Sequence, residues 1–194
     1  MPQRHGYKPL SVQSLALAPS LPKVQRSAQS HDPALSLFTD LHHSACVVAS
    51  HRDGLQQTLH LMRRAGVRMV FVAGADGELV GMVTAEDLQG ERPVLRASAH
   101  HVPHHELTLA DIMVPVTQWD TVDIAHVRVA HVGDIVATMR EHNLRYQRVT
   151  PKKAGATVLR GLFSASRLEQ ALKTTIEPDL HSRNFAELEL VLAH

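Results

Sequence analysis

The chain has little of several features that mark common classes of protein. Cys46 is the only cysteine among 194 residues, so no intramolecular disulfide can form, and this composition fits a reducing compartment. Aromatic residues make up 4% of the sequence. No apolar run approaches the roughly 20 residues that a helix needs to cross a bilayer, and the amino-terminal stretch lacks a signal-peptide pattern. We therefore expect a cytoplasmic protein with no membrane partner.

Neither sign of charge dominates the sequence. Lys and Arg number 20 against 19 Asp and Glu, so the chain offers no overall positive field for nucleic acid, and we expect no nucleic-acid partner. A hydrophobic content of 44% and a charged content of 20% are ordinary for a globular protein. The length suffices for one medium domain or two small ones.

Sequence motifs of catalysis are also missing. There is no G-x-S-x-G, no G-x-G-x-x-G and no phosphate-loop pattern. Cys46 lies in the apolar stretch ACVVAS, where a thiol is more often a small core residue than a nucleophile. The sequence therefore predicts no catalytic residue, no catalytic cofactor and no enzymatic activity.

The elements that the sequence does predict follow a regular order. Residues 45–50 (ACVVAS) and 68–74 (RMVFVAG) have the composition of strands, and 54–67 (GLQQTLHLMRRAGV) have the spacing of an amphipathic helix that ends at Gly66. ELVGMVT and AEDLQ (78–89) then predict a second hairpin strand and a helix. The order is strand, helix, strand, strand, helix.

This order returns later in the chain, over residues 132–172. Met62 is equivalent to Met139, and Arg68 is equivalent to Arg145 at the same offset along the sequence. Gly81 is equivalent to Gly161 at a slightly larger offset, so the second hairpin is longer than the first. An internal repeat of this kind indicates two copies of one supersecondary unit, each of which needs the other to bury its apolar faces.

The repeat divides the chain into four segments. Residues 1–34 are rich in Pro, Ser and Gln and are expected to be a partly flexible arm. We assign 35–110 to the first repeat and its linker, 111–175 to the second repeat, and 176–194 to a C-terminal helix. In that helix Asn184 is the expected N-cap of FAELELVL.

Three pieces of the sequence resemble the cystathionine-beta-synthase (CBS) domain. GVRMVFVAGADGELVGMVTAEDL resembles the middle of such a domain, LTLADIMVPV resembles the linker before a second one, and LRGLFSASRLEQAL resembles a second strand-to-helix segment. The chain thus resembles a tandem CBS pair, or Bateman module, over about residues 35–172, and stand-alone bacterial CBS proteins in particular. The resemblance implies an α+β fold of two βαββα repeats packed through their sheets, and a homodimer.

The resemblance also implies a ligand. CBS domains that bind adenosine nucleotides contact ribose and phosphate through Gly-x-x-Thr/Ser-x-x-Asp/Asn, and Gly81, Thr84 and Asp87 match all three positions. In the second copy Ser164 matches, but Arg167 replaces the acid and cannot accept a hydrogen bond from a ribose hydroxyl, although it could bind a phosphate in a bidentate fashion. The second site is therefore either empty or altered, and Ser164 and Arg167 are its candidate ligand-binding residues. We therefore expect one site per chain, at the first motif, for an AMP-, ADP- or ATP-like ligand or S-adenosylmethionine.

The base of such a ligand would lie in an apolar slot between the first two strands. The candidate lining residues are Val47, Val48 and Phe71, with Cys46, Val70 and Val72 beside them. Because alternate residues of a strand face opposite ways, only some of them can line the slot. Four basic residues near the second motif are candidates for a phosphate tail or for a solvated basic face: Arg148, Lys152, Lys153 and Arg160.

Two functions remain open at this point. One is a regulatory protein that senses energy or metabolite status through an adenosine ligand and passes the change to an unidentified protein partner. The other is a ligand-independent scaffold or interaction module, because Thr84 to Asp87 can equally be a helix-capping box worth about 1 kcal/mol. The histidine stretch HHVPHHE (100–106) contains side chains that can ligate a metal. Because Pro103 opposes a continuous helix through this stretch, we expect no metal site.

Overall fold

The computed structural model describes residues 9–12, 14, 27–151 and 158–176. The predicted C-terminal helix with Asn184 and the basic pair Lys152 and Lys153 lie outside the described residues. Within the described ranges, no helix is long and apolar enough to cross a membrane.

The strands of the described chain are β1 (Thr39–Asp40), β2 (Val48–Ser50), β3 (Met69–Ala73), β4 (Leu79–Thr84), β5 (Val114–Pro115), β6 (Thr121–Asp123), β7 (Tyr146–Thr150) and β8 (Gly161–Ser164). The α-helices are α1 (Leu55–Ala65), α2 (Ala85–Gln89), α3 (Arg92–His100), α4 (Leu109–Ile112), α5 (Ile124–Val127), α6 (Val132–Glu141) and α7 (Ala165–Leu172). Short 3₁₀ turns cover Ala34–Leu37, His104–Glu106 and Val116–Gln118.

The strands form two sheets of the same topology. One has the order β2-β3-β4-β5 and the other β6-β7-β8-β1. In each sheet the first two strands pair in parallel and the remaining neighbours pair antiparallel. Helices α1 and α6 connect the parallel strands, as a parallel connection requires. The predicted α+β fold of two repeats is confirmed.

The strand register agrees with the repeat offsets read from the sequence. Val72 on β3 lies opposite Gly81 on β4, and Val149 on β7 lies opposite Gly161 on β8. The two valines are separated by the same offset as Met62 and Met139, and the two glycines by the larger one. Strand β6, which the sequence did not reveal, completes the second repeat and corresponds to β2.

Each half of the molecule lends an edge strand to the other. β1 lies in the segment 35–110 but pairs with β8 of the second half, and β5 lies in the segment 111–175 but pairs with β4 of the first half. Glycine permits both pairings, because a Cβ on Gly81 would lie 2.8 Å from the Val114 carbonyl oxygen, and one on Gly161 would collide with Phe38 and Thr39. The segments 35–110 and 111–175 are therefore interleaved at their edges.

Each half has its own apolar core. Leu55, Leu59 and Met62 of α1 are buried under the first sheet, as the helical spacing predicts. In the second half Ile135 and Met139 of α6 are buried in the same way.

One helix of the first half escaped the sequence analysis. Helix α3 was missed because Pro93 looked like a limit on the preceding helix. Pro93 instead lies in the first turn of α3. Backbone N–H groups in the first turn have no partner within the helix, so a proline there costs no hydrogen bond.

A third apolar cluster lies between the two sheets. Its buried members are Phe71, Met82 and Leu162, from β3, β4 and β8. Side chains that pack around them and are only partly buried are Leu41, Met69, Trp119, Tyr146 and Leu159. Side chains of both halves thus meet face to face, and the predicted packing through the sheets is confirmed.

Candidate ligand-binding cleft

A cleft of about 510 Å³ opens between the two halves, a size typical of small-molecule sites. We call it the open cleft. The first half contributes Cys46 and Val47, just before β2, and Phe71 on β3. The second half contributes Ser164 and Arg167, at the start of α7. Other lining residues include Thr39, Leu41, Arg68, Tyr146, Leu162 and Ser166.

The structure combines the base slot predicted in the first repeat with the motif of the second repeat. Val47 and Phe71 line the open cleft together with Ser164 and Arg167. Val48 is 51% exposed on β2 and does not line it. Val70 and Val72 are fully buried in the core of the first half. Of the described residues that line the open cleft, none is Gly81, Thr84 or Asp87.

The charged side chains that line the open cleft are basic. Arg68 and Arg167 line it, and no Asp or Glu is among its described lining residues. The Arg167 guanidinium donates to the Thr39 hydroxyl oxygen at 3.1 Å. Ser164 is the N-cap residue of α7, but its side chain makes no capping hydrogen bond, so its hydroxyl can serve a ligand.

A polar pocket of about 250 Å³ adjoins the open cleft and shares Arg68, Tyr146 and Ser166 with it. Here Arg145 donates to Glu169 at 3.1 Å, and this hydrogen bond holds the pKa of Glu169 below its usual value. The positive charge of Arg145 is therefore offset by Glu169. Burial is the main cause that raises the pKa of Tyr146, so at neutral pH its phenol is a hydrogen-bond donor.

The repeat relates the open cleft to a second region, which we call the filled cleft. Arg148 occupies on β7 the register position that Phe71 occupies on β3, and Trp119 precedes β6 by the same two positions by which Cys46 precedes β2. The Arg148 guanidinium carbon lies 5.4 Å from the centre of the Trp119 ring. Large side chains thus stand where the open cleft has a thiol and a phenyl ring.

The contacts of Trp119 and Arg148 hold them in place. The Trp119 indole N–H donates to the Val114 carbonyl oxygen at 3.0 Å, and its ring lies 6.5 Å from that of Phe71. Arg148 is only 6% exposed, and its Nε donates to the Asp120 carbonyl oxygen at 3.3 Å. Burial lowers the pKa of Arg148, and the nearby Asp120 opposes that effect. An aromatic face is a good partner for a desolvated guanidinium.

By the equivalence of the repeats, the first motif stands beside the filled cleft as the second motif stands beside the open cleft. The first motif is engaged in capping α2. The Thr84 hydroxyl oxygen accepts from the Asp87 N–H at 3.1 Å, and Asp87 Oδ2 accepts from the Thr84 N–H at 2.9 Å and from its hydroxyl at 2.7 Å. Asp87 Oδ1 pairs with Arg92 at 3.2 Å. The capping box predicted for this segment is present. Gly81 is accounted for by the approach of β5, whereas Thr84 also lines the polar pocket.

The other predicted phosphate contacts fall elsewhere. Arg148 lies in the filled cleft, and Arg160 forms an ion pair with Asp40 beside β1. Neither lines the open cleft. Among the residues described, no three His, Cys, Asp or Glu side chains are grouped so as to hold a metal ion.

Several cleft residues escaped the sequence analysis. Arg68 carried a usable signal, because it aligns with Arg145 at the same offset as the rest of the repeat. Thr39 carried no such signal, because it belongs to β1, which pairs with the sheet of the other half. Trp119 carried none either, because β6 has only 3 residues and no sustained alternation.

Comparison with known proteins supports the fold. Residues 38–92 match the family model of the CBS domain. A conserved protein from Pyrococcus horikoshii aligns with a TM-score of 0.53 at 20% identity, over 78% of this chain and 100% of that one. The CBS-domain-containing protein ATU1752 from Agrobacterium tumefaciens aligns with a TM-score of 0.50 at 14% identity, over 77% of this chain and 98% of that one.

A third solved structure, CBSX2 in complex with AMP, aligns with a TM-score of 0.49 at 16% identity, over 72% of this chain and 95% of that one. No curated protein matches the sequence significantly. The family match and the first two structures confirm the predicted resemblance to stand-alone CBS pairs. At these identities the structures establish the fold.

Proposed function

We propose that this tandem pair of CBS-type repeats is a regulatory protein that binds an adenosine-containing ligand in the open cleft and has no catalytic activity of its own. The observation that carries the proposal is the origin of the cleft walls. Val47 and Phe71 come from the first half, and Ser164 and Arg167 from the second. A ligand that touches both halves stabilises whichever arrangement of the halves fits it best, and a partner can read that change.

The chemistry of the cleft suits a nucleotide. An adenine ring is flat and largely apolar on its faces, and Val47, Phe71 and Leu162 offer an apolar surface against which it can lie. Arg68 and Arg167 supply the positive charge that a phosphate needs. The hydroxyls of cleft residues such as Ser164 can donate to or accept from a ribose. AMP, ADP, ATP and S-adenosylmethionine are the candidate ligands.

A ligand-independent scaffold is the second candidate function, and a specific observation favours it. The consensus motif at Thr84 and Asp87 is engaged in capping and in the Arg92 pair. On α3, Val94 and Leu95 are 62% and 64% exposed, and an exposed apolar pair of this kind suits a protein contact. We propose a homodimer in the cytoplasm, acting on a partner protein yet to be identified.

Calorimetric titration of the full chain with AMP, ADP, ATP, cyclic AMP and S-adenosylmethionine tests the ligand. We expect one binding event per chain, with GMP as the control for the base. Binding at 100 times Kd stabilises the fold by about 2.7 kcal/mol, which corresponds to a rise of roughly 5–10 °C in Tm for a protein of this size. If none of these ligands binds at millimolar concentration, the scaffold function is favoured instead.

The single cysteine allows the site to be located in the same sample. Cys46 is exposed and lines the open cleft, so its rate of alkylation by iodoacetamide reports on whether the cleft is occupied. We expect a saturating ligand to slow alkylation at least tenfold. A ligand that binds without protecting Cys46 must bind elsewhere, and the first motif is then the place to look.

Light scattering tests the assembly. A homodimer is expected with and without ligand, and Leu95→Lys is expected to shift it towards monomer if α3 forms the contact. A wild-type monomer at micromolar concentration contradicts this part of the proposal.

A further inference from the structure

Arg167, which lines the open cleft, occupies the position that the acid of the motif occupies in the other repeat. The register places Ser164 opposite Tyr146, just as it places Thr84 opposite Met69. Arg167 therefore stands in the second half where Asp87 stands in the first. A carboxylate there offers only hydrogen-bond acceptors, and a guanidinium offers only donors.

This exchange changes which ribose can be bound. A free ribose hydroxyl can donate to a carboxylate, whereas towards a guanidinium it can only accept, as the neutral Thr39 hydroxyl does here. A phosphate group on the ribose brings acceptor oxygens and negative charge, which a guanidinium binds in a bidentate fashion. The same exchange separates two classes of dinucleotide-binding fold, in which an acid binds the ribose 2′-hydroxyl and an arginine accommodates a 2′-phosphate.

The described contacts of Arg167 leave it able to take such a ligand. Among the described residues it donates to the neutral Thr39 hydroxyl, and a guanidinium has five N–H donors. None of the ion pairs found in the described part of the chain involves Arg167 or Arg68. Both side chains are exposed and line a cleft whose described lining contains no acid.

The two arginines that line the open cleft supply positive charge for two anionic groups. Arg68 precedes β3 in the first half and also lines the polar pocket beside Tyr146. Arg167 lies on α7 in the second half. A 5′-phosphate directed towards Arg68 leaves Arg167 free for a second phosphate on the ribose. A ligand with a plain ribose and a positive sulfonium, such as S-adenosylmethionine, fits this charge pattern worst.

We propose that the open cleft selects an adenosine ligand whose ribose carries a 2′- or 3′-phosphate, and that Arg167 is the residue that determines this specificity. The inference rests on the proposed function, because it concerns the same cleft. It goes further in naming the ligand class: adenosine phosphorylated on both the 5′ and the ribose 2′ or 3′ positions.

Calorimetric titrations in phosphate-free buffer test the proposal. The ligands are AMP, adenosine 2′,5′-bisphosphate and adenosine 3′,5′-bisphosphate, and inorganic pyrophosphate controls for charge alone. Wild type is expected to bind one of the bisphosphates at least tenfold more tightly than AMP. Arg167→Asp is expected to weaken that bisphosphate roughly a hundredfold and to tighten AMP, which reverses the preference. Arg96→Asp, at an exposed position of α3 outside the cleft lining, makes the same charge change and should preserve the wild-type ratio.

The outcomes separate this inference from the proposed function. If AMP binds as tightly as both bisphosphates and Arg167→Asp leaves the ratio unchanged, the inference is overturned while the function stands. If pyrophosphate binds as well as the bisphosphates, the cleft recognises charge alone and the inference is again overturned. If no adenosine ligand binds, both fail. Arg167→Gln, which removes the charge without reversing it, replaces Arg167→Asp if the melting temperature of that variant falls, and should reduce the preference to near unity.

Discussion

The open and filled clefts are built from equivalent positions of one repeat, yet they differ in what they can hold. The open cleft has Cys46 and Phe71 where the filled cleft has Trp119 and Arg148. The sheets around them have the same topology and register. The side chains at these two pairs of positions, and not the backbone fold, therefore distinguish a space of about 510 Å³ from a packed contact.

The cleft that has space for a ligand has the altered motif, and the cleft that is filled has the matching one. The motif beside the filled cleft matches the adenosine-binding pattern at Thr84 and Asp87, whereas the motif at the open cleft carries Arg167 in place of the acid. A matching motif is therefore not sufficient for a site, because its hydroxyl and carboxylate can be used to cap a helix. The space beside the motif matters as much as the motif itself.

Filling the open cleft is expected to have the largest effect. Cys46→Trp places an indole at the position equivalent to Trp119, and we expect it to weaken adenosine-ligand binding at least a hundredfold, or about 2.7 kcal/mol. Because Cys46 is exposed, the melting temperature should stay within a few degrees of wild type. Calorimetry measures the binding, and Cys46→Ser is the matched control that should bind normally. If Cys46→Trp binds the ligand normally, the ligand does not bind in the open cleft.

Opening the filled cleft is the converse experiment. Trp119→Cys combined with Arg148→Phe copies the residues of the open cleft into its counterpart, where Thr84 and Asp87 already match the motif. We expect the calorimetric stoichiometry to rise from one towards two ligands per chain. Loss of the partly buried indole should lower the free energy of unfolding by about 2 kcal/mol.

The single variant Arg148→Phe serves as the control for this experiment, because Trp119 still occupies the cleft. Arg148 forms none of the ion pairs found among the described residues, so replacing its buried guanidinium by an apolar ring should change the free energy of unfolding little. A stoichiometry of one in the double variant would mean that the capping of α2 alone keeps the first motif from binding.

Asp87→Ala distinguishes the two motifs directly. It removes a capping acceptor and the ion pair with Arg92, so we expect a loss of about 1–2 kcal/mol of stability, measured by urea unfolding. Binding in the open cleft should be unaffected. If instead Asp87→Ala loses ten- to a hundredfold in ligand affinity, the range expected for a lost hydrogen bond to a charged group, the site lies at the first motif as the sequence predicts. Asp87→Asn keeps the shape of the side chain and removes its charge, so its stability should lie between those of wild type and Asp87→Ala.

The smallest effect concerns the polar pocket that adjoins the open cleft. The Arg145 hydrogen bond lowers the pKa of Glu169 in the folded state. The stabilisation is therefore complete above the unperturbed glutamate pKa of about 4.3 and is lost as pH falls through the lower, folded-state value. Because Arg145 is 47% exposed, we expect Glu169→Gln to cost less than about 1 kcal/mol at pH 7. The difference between the variant and wild type should shrink as pH falls and vanish once Glu169 is protonated in the folded state, and a difference that persists in acid would assign the effect to the Ile176 contact instead.

Much of the fold could be predicted because it rests on short-range patterns. The spacing of Leu55, Leu59 and Met62 predicted both the existence of α1 and its buried face, and the constant offset between equivalent residues predicted the second copy. Where short-range patterns were weak, prediction failed. β6 has 3 residues and too little alternation to recognise, and Pro93 is compatible with either the end of one helix or the start of the next.

The sequence by itself determined the two repeats, their order of elements, the capping box at Thr84 and the presence of Arg167 in place of an acid. Only the tertiary structure decided that β1 and β5 each join the sheet of the other half, and that the slot of one repeat faces the motif of the other. The contact between Arg167 and Thr39 joins residues 128 positions apart. No local periodicity carries information at that range, because such a contact depends on how two finished sheets pack against each other.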